Sequence, residues 1–254
     1  MNSSNVYNTA EKILNEFLSS KISKYSQFRN FDYGPIDPHK VVSGLSPYIS
    51  KGIIKEEYIL KKIKANKNTS DKFVQEVLWR SFWKGWLERH DKVWFDYKSE
   101  VEKKLNTINK SNLFRLYNNA LKGQTNLEPF DQWIKQLTET GYLHNHSRMW
   151  FASIWIHYFG LPWELGANFF YENLLDADIA SNTLSWRWVA GLQTLGKKYL
   201  ATKENIIKYS LGRHKNFILP KLKDINFDYI RYDENEIKYN KKTTFNKNRK
   251  NALF

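Results

Sequence analysis

The chain of 254 residues contains no cysteine. Disulfides, thiolate-bound zinc, iron–sulfur clusters and cysteine nucleophiles are therefore excluded. No apolar run approaches the roughly 20 residues that a helix needs to cross a bilayer, and the N-terminus lacks the charged-then-apolar layout of a signal peptide. We therefore expect a soluble, cytoplasmic protein. Any redox chemistry must come from an organic cofactor or from aromatic side chains.

Strand patterns and glycine-rich turns are also scarce. There is no alternating βαβ pattern and no GxGxxG turn, which argues against a Rossmann-type dinucleotide site. Apolar residues instead recur at helical spacing, beginning with residues 6–18. Ser70 caps an aromatic segment that we predict to be helical as far as Trp94, with Phe82 and Trp86 on its buried side. Breakers at residues 31–47 predict a loop. Further helices are predicted at residues 53–63, 111–121, 129–140, 147–159 and 163–174. The expected fold class is all-α.

Positive charge and aromatic side chains are abundant. The net charge of +14 favours an anionic partner, because lysine and arginine attract a polyphosphate through long-range steering and counterion release. Part of the excess lies at residues 238–250, which hold six basic residues and no acidic ones and are predicted to be mobile. The chain has 10 tryptophans, most of which core packing must account for.

Five short motifs occur in a fixed order along the chain. They are YSQFRNF at 25–31, VSGLSPY at 42–48, EVLWR at 76–80, TGYLHNHSRM at 140–149, and DADIASN at 176–182 followed by WRW at 186–188. Over residues 25–209 the sequence thereby resembles the helical, FAD-binding half of photolyases and cryptochromes. Each motif is weak alone, and Asp176, Asp178, Ser43 and Ser46 taken singly would be helix caps and turn residues. Their joint order favours the resemblance.

The resemblance implies FAD as the cofactor. No metal is expected, because His144 and His146 are two residues apart and would diverge on a helix. The loop at residues 43–46 can offer backbone N–H groups and hydroxyls to a pyrophosphate, to which Arg80 and Arg148 add charge. Arg148 and Asp176 are expected to pair beside the isoalloxazine ring, and Asn182 is expected to face the flavin N5. The implied cofactor-binding residues are Tyr25, Ser43, Leu45, Ser46, Arg80, Asn145, Arg148, Asp176, Asp178 and Asn182. Three departures from the family pattern are Val42, Gly44 and His146. They predict a weaker phosphate contact or one supplied by a lysine elsewhere.

The same resemblance implies a substrate and a reaction. The expected activity is that of a deoxyribodipyrimidine photo-lyase, which splits cyclobutane pyrimidine dimers in double- or single-stranded DNA by light-driven electron transfer from reduced flavin. The implied substrate-binding residues are Glu76, Trp79, Asn145, Met149 and Trp188, which suit a flipped-out dimer. The implied catalytic residues are Asn182, Glu76, and the electron-relay residues Trp186 and Trp163. Core packing is the competing explanation for Trp163. The third relay position has no tryptophan, and Trp150, Trp155 or a tyrosine could replace it.

We divide the chain into a helical FAD-binding domain at 1–210 and a basic, partly mobile extension at 211–254. Full-length members of the family carry an N-terminal antenna domain, whereas only about two dozen residues precede Tyr25 here, so we expect this chain to bind no antenna chromophore. We also expect the chain to be monomeric and to avoid membranes. A bacterial source would place it at the nucleoid. The alternative function is a cryptochrome-like photosensor that binds FAD without repair, with the basic extension as its signalling element. A flavin-free nucleic-acid-binding module is a third hypothesis, which the ordered motifs disfavour.

Overall fold

The computed structural model describes residues 3–194, 197–225, 227 and 232. These residues form helices and no strand, which confirms the all-α prediction. The helices are α1 (Ser3–Ser20), α2 (Ile22–Phe28), α3 (Ser46–Ser50), α4 (Glu56–Lys64), α5 (Asp71–Arg89), α6 (Asp91–Thr107), α7 (Phe114–Leu121), α8 (Glu128–Thr140), α9 (Asn145–Ser153), α10 (Trp163–Asn173), α11 (Ile179–Ala190) and α12 (Lys203–Tyr209). No helix in this part of the chain is long and apolar enough to span a membrane.

A smaller core lies in the N-terminal part of the chain. Leu14 and Phe17 on α1 meet Ile59 on α4 and Phe73 on α5, and all four side chains are buried. The predicted helix at residues 6–18 is confirmed, and Ser70 caps α5 by accepting a hydrogen bond from the Phe73 N–H at 3.3 Å. The predicted loop at residues 31–47 is also present, because its first helical residue is Ser46.

The single long helix predicted from Ser70 to Trp94 is wrong, because the chain breaks at His90 and α6 continues to Thr107. The His90 ring stacks on Trp86 at 4.0 Å, and its Nδ1 lies 2.7 Å from the Trp86 carbonyl oxygen. This contact closes α5 without glycine or proline. Phe82 was predicted to be buried but is 52% exposed, because the inner face of α5 is formed by Phe73, Val77 and Leu87.

The larger core surrounds α8 to α11 and is mainly aromatic. Trp133, Trp150 and Trp155 are fully buried, and Trp150 stacks on Trp133 at 5.7 Å. The predicted helix at residues 147–159 begins two residues earlier, where His144 caps it, and continues into one wide turn, Ile154–Tyr158. Helices α2, α11 and α12 were not predicted. Helix α11 has no clear amphipathic pattern that would have indicated it, because more than half of its residues are buried and two of these, Thr183 and Arg187, are polar.

Residues beyond α12 pack against the helical body as far as they are described. His214 is buried and lies 3.1 Å from the Glu128 carboxylate, Phe217 is buried, and the Lys223 N–H donates to the His157 carbonyl at 2.8 Å. The contacts of the helical body therefore continue past residue 210, where we had placed its boundary. The basic tail at residues 238–250 lies outside the described residues.

Candidate cofactor and substrate site

An ion pair between α9 and the turn before α11 forms the centre of the candidate site. Arg148 donates from Nη2 to Asp176 Oδ2 at 3.0 Å and from Nε to the Leu143 carbonyl at 2.8 Å. Burial alone would raise the pKa of Asp176, but the charge and hydrogen bond of Arg148 outweigh burial and hold that pKa below its usual value. The Asp176 carboxyl is therefore ionised at neutral pH. The two side chains pair as expected, and their place beside a flavin ring stays a prediction.

The short helix α3 connects this ion pair to α5. Ser50 lies with its hydroxyl 2.6 Å from the Ser46 carbonyl oxygen and 2.9 Å from the Asp176 carbonyl oxygen. Arg80 donates to the same hydroxyl at 3.2 Å. Three residues predicted to bind the cofactor, Ser46, Arg80 and Asp176, therefore lie around one serine. Ser50 was not predicted, since its role depends on a contact 126 positions along the chain.

The loop before α3 has the geometry of a turn. Ser43 accepts a hydrogen bond from the Leu45 N–H at 3.3 Å, and the Leu45 side chain is fully buried. Gly44 has φ +68°, and a Cβ there would lie 3.1 Å from the ring of His39. Glycine therefore suits this position, because a side chain would be strained by the positive φ and would press on the His39 ring. The imidazole of His39 occupies the adjacent space.

Tyr25 and Glu76, predicted to bind cofactor and substrate respectively, contact each other. The buried Tyr25 hydroxyl donates to Glu76 Oε2, and Arg29 donates to Glu76 Oε1 at 2.5 Å. Burial and the neighbouring Glu76 carboxylate raise the pKa of Tyr25, so its phenol stays protonated. Glu76 is thus held by two donors in the protein. Arg29 was not predicted because it lies 47 residues from its partner.

Two predicted cofactor residues on α11 also have structural partners. Asp178 is the N-cap of α11 and accepts a hydrogen bond from the Ser181 N–H at 2.8 Å. This is the role that Asp178 taken singly would have. Asn182 donates from its side-chain amide to the Ala167 carbonyl on α10 at 2.8 Å. This hydrogen bond fixes the orientation of the amide and leaves its Oδ1 pointing away from that carbonyl.

The predicted substrate residues lie at or near the surface and fall into separate contact groups. Trp79 is 43% exposed and forms a ring cluster with Phe82 and Trp83, with centroids 5.2 and 5.3 Å away. The exposed Asn145 places its amide nitrogen 3.8 Å from Met149 Sδ. Trp188 stacks on Tyr199 at 5.6 Å.

The two predicted relay residues differ in their surroundings. Trp186 is buried and contacts Phe170 at 5.1 Å and Trp155 at 6.4 Å between ring centroids. Trp163, also buried, stacks on Tyr97 of α6 at 5.5 Å. Core packing therefore explains the burial of both residues without a redox role.

Sequence reasoning missed a buried carboxylate next to the site. Asp32 accepts from Ser147 at 2.6 Å, from the Gly34 N–H at 2.8 Å and from Arg213 at 2.9 Å. Burial opposes ionisation, but Arg213 and Ser147 lower the pKa of Asp32 below its usual value. Aspartate two residues before a glycine is a turn signal that could have identified Asp32. Nothing local in the sequence indicates Arg213.

The chemistry of these side chains suits a flavin dinucleotide. Asp176 Oδ1, Arg80 Nε and Ser181 Oγ are buried without a hydrogen-bond partner among the described residues. Buried polar atoms normally have partners, so these atoms can serve a ligand that carries both donors and acceptors. A cavity of about 190 Å³ adjoins Asp176, His39 and Tyr142. It is smaller than the roughly 300–1,000 Å³ typical of small-molecule pockets, so it would hold only part of a dinucleotide. No cluster of potential metal ligands occurs in the described ranges.

Comparison with known proteins identifies the family. Residues 73–250 match the family model described as the FAD binding domain of DNA photolyase. The chain belongs to this family. The expectation of FAD as cofactor is thereby confirmed.

Similar curated proteins include a deoxyribodipyrimidine photo-lyase of Buchnera aphidicola, 31% identical over 70% of this chain and 37% of its own length. A cryptochrome DASH of Idiomarina loihiensis is 28% identical over 69% and 39%, respectively. The chain thus spans less than half the length of these relatives.

Similar folds include a class III photolyase from Agrobacterium tumefaciens, with 24% identity, a TM-score of 0.66 and coverage of 80% of this chain and 42% of that one. A cryptochrome of Synechocystis gives 20% identity, a TM-score of 0.68 and coverage of 81% and 43%. At these identities the two structures show the fold alone.

Proposed function

We propose that this chain carries out light-driven, FAD-dependent repair of cyclobutane pyrimidine dimers in DNA. The observation that carries the proposal is the arrangement of two adjacent residues on α5. Trp79 is exposed at the surface, whereas Arg80 is directed inward, to Ser50 and the group around Asp176. One helix therefore presents an aromatic surface to an external ligand and a cation to the cofactor-binding residues.

The protein groups have distinct roles in this proposal. Arg148 and Asp176 form a fixed ion pair beside the flavin ring, and Asn182 holds its amide in one orientation through Ala167. Trp79 and Trp188 stack against the bases of the extruded dimer, while Asn145 and Glu76 hydrogen-bond to their edges. When bound, FAD supplies the light-driven electron that splits the cyclobutane ring and takes that electron back afterwards. Enclosure by the protein excludes water from the reacting groups.

Charge complementarity supports DNA as the substrate. The net charge of +14 gives undamaged and damaged strands alike an electrostatic attraction that weakens with salt. Specificity for the lesion then has to come from side chains that contact bases, and of the four proposed here Trp79 and Asn145 are exposed. Relatives named deoxyribodipyrimidine photo-lyase support the same substrate.

One observation favours the alternative, a photosensor that binds FAD without repair. Tyr232, in the C-terminal part of the chain, donates to Asp96 at 3.1 Å and lies under the Arg187 guanidinium at 5.1 Å from its ring centroid. Arg187 separates Trp186 from Trp188. A C-terminal residue is thus in contact with the helix that carries the relay residue, as a signalling extension would require.

Light-dependent splitting of a defined lesion tests the repair proposal. The purified chain is first examined for flavin absorption and, if colourless, incubated with FAD. The flavin is then chemically reduced, and an oligonucleotide containing a thymine dimer is illuminated with blue light or kept dark. We expect dimer splitting in the light alone. A protein that binds flavin but neither prefers nor splits the dimer would overturn the repair proposal in favour of the photosensor, and a protein that takes up no flavin would overturn both.

A further inference from the structure

Two buried indoles converge on a glycine of α10. A Cβ at Gly166 would lie 2.4 Å from the six-membered ring of Trp186 and 2.9 Å from Nε1 of Trp155. The two rings contact each other edge to face, with centroids 6.4 Å apart and planes at 88°. Trp155 is fixed by a hydrogen bond from Nε1 to the Pro162 carbonyl at 2.8 Å. Absence of a side chain at Gly166 therefore allows this indole pair to form.

The contact continues from Trp155 toward the protein surface. The Tyr117 ring on α7 lies edge to face with Trp155, with centroids 6.0 Å apart. Tyr117 is half-buried, in contrast to the fully buried Trp155. Three rings in successive edge-to-face arrangement, Trp186, Trp155 and Tyr117, thus lead from the interior to a half-buried phenol.

Trp163, the relay residue implied by resemblance, belongs to a second set of rings. It stacks on Tyr97 at 5.5 Å, and Tyr97 lies 5.3 Å from the half-buried Trp94. This set also reaches the surface. The two sets differ at their inner end, since the indole that Trp186 contacts is that of Trp155.

The geometry points to Trp155 and Tyr117 as the outer members of the electron relay that reduces the flavin. This inference rests on the FAD binding of the proposed function. Oxidised flavin, excited by light, would be the electron acceptor of the relay, and its reduction would produce the reduced flavin that repair requires. Trp186 gives one electron to the flavin, Trp155 gives one to oxidised Trp186, and Tyr117 gives one to oxidised Trp155. Tyr117 releases its phenolic proton to water as it is oxidised, so a neutral tyrosyl radical remains. A dissolved thiol then returns one electron and one proton to Tyr117.

The environment of Tyr117 is consistent with this terminal position. Burial and the Glu172 carboxylate raise the pKa of its phenol, so the hydroxyl is protonated at neutral pH before oxidation. Loss of the proton upon oxidation makes return of the electron to Trp155 slow, because the proton must come back as well. A tyrosine at the exit therefore retains the separated charge until the thiol reacts.

Conservative substitutions distinguish the two sets of rings. Trp155→Phe and Tyr117→Phe are compared with Trp163→Phe and Tyr97→Phe, each purified with FAD and checked for equal flavin content and helicity. After a light flash, the parent protein should yield a tyrosyl radical by transient absorption and electron paramagnetic resonance. The radical should form more slowly in deuterium oxide. Tyr117→Phe should lose the tyrosyl signal and the isotope effect, and Trp155→Phe should lose nearly all flavin photoreduction with thiol.

Trp163→Phe and Tyr97→Phe should show the same tyrosyl radical and the same flavin photoreduction as the parent. Loss of the tyrosyl signal in Tyr97→Phe or of photoreduction in Trp163→Phe, with both signals intact in Trp155→Phe and Tyr117→Phe, would overturn the inference. Dimer splitting with flavin that was chemically reduced beforehand does not need the relay. It should be equal in Trp155→Phe and the parent, and its absence from the parent would contradict the proposed function rather than the relay.

Discussion

Arg148 Nη2 lies 3.0 Å from Asp176 Oδ2, and the Asp176 side chain is only 6% exposed. Removing the guanidinium would leave a buried carboxylate without its counter-charge, which typically destabilises a protein by about 3–5 kcal/mol. We therefore expect Arg148→Ala to lower the free energy of unfolding by that order in urea titrations of the flavin-free chain.

A surface pair serves as the control for that measurement. Lys135 and Glu139 lie 3.9 Å apart with side chains 74% and 60% exposed. Lys135→Ala should cost at most about 1 kcal/mol, since solvent screens exposed pairs. Similar losses for the two variants would show that the Arg148 contact contributes no more than a surface ion pair.

His144 should make the fold sensitive to mild acid. Burial lowers the pKa of His144 to about 4, and its ring lies between the Arg29 carbonyl and the His146 N–H, at 3.0 and 3.2 Å. The unfolded chain protonates this residue near pH 6.5, whereas the folded chain does not until about pH 4. Stability is therefore complete above pH 6.5 and falls as the pH drops toward 4.

This lowering of the His144 pKa corresponds to a loss of unfolding free energy on the order of 3 kcal/mol at pH 4 and below. Other buried histidines, including His146 and His157, have lowered pKa values as well and act in the same direction. Unfolding free energies measured at pH 7 and pH 5 should therefore differ less in His144→Gln than in the parent. An unchanged difference would contradict the assignment of acid sensitivity to His144.

Asn182→Asp should alter the flavin without altering the fold. The new carboxylate would face the Ala167 carbonyl, which the amide now binds at 2.8 Å, and would add a second anion, besides Asp176, to the proposed flavin site. An anionic reduced flavin would then be disfavoured. We expect changed absorption of the reduced protein and slower photoreduction. Asn173→Asp is the matched control, because Asn173 donates to the Phe169 carbonyl at the same 2.8 Å on the same helix as Ala167. Equal spectra for both variants would contradict the placement of Asn182 next to the flavin.

Trp79→Ala and Trp188→Ala should weaken binding to a thymine-dimer oligonucleotide. Stacking on an aromatic ring contributes about 1–3 kcal/mol per base, which is roughly ten- to hundredfold in affinity. Binding to undamaged DNA should change little, and the dependence on salt should stay the same, since both depend on phosphate contacts. Phe114→Ala removes an aromatic ring that is 41% exposed, close to the 43% of Trp79, and should leave lesion preference intact. A similar loss in Phe114→Ala would indicate nonspecific contact.

Local signals allowed much of the fold to be predicted. Ser70 marks the start of α5 because its hydroxyl caps the first turn, and Gly44 marks the turn before α3 because of its positive φ. The break at His90 was missed, because a histidine ring that stacks on Trp86 has no signature in local composition.

The candidate site was predictable only in part for the same reason. Resemblance indicated Arg148 and Asp176 together. Arg29 lies 47 residues from its partner Glu76, and Ser147 lies 115 residues from its partner Asp32. No sequence periodicity relates residues so far apart. Tertiary packing alone brings them into contact.

Because Trp79 and Arg80 are adjacent on α5, the proposed contacts with DNA and with FAD both depend on the register of this helix. Successive residues of a helix diverge by about 100° around its axis. Inserting one residue between Val77 and Trp79 would therefore turn the indole toward Ser50 and the guanidinium toward solvent, while the buried Phe73 and Val77 resist any compensating rotation. Changes of length within α5 should accordingly not be tolerated.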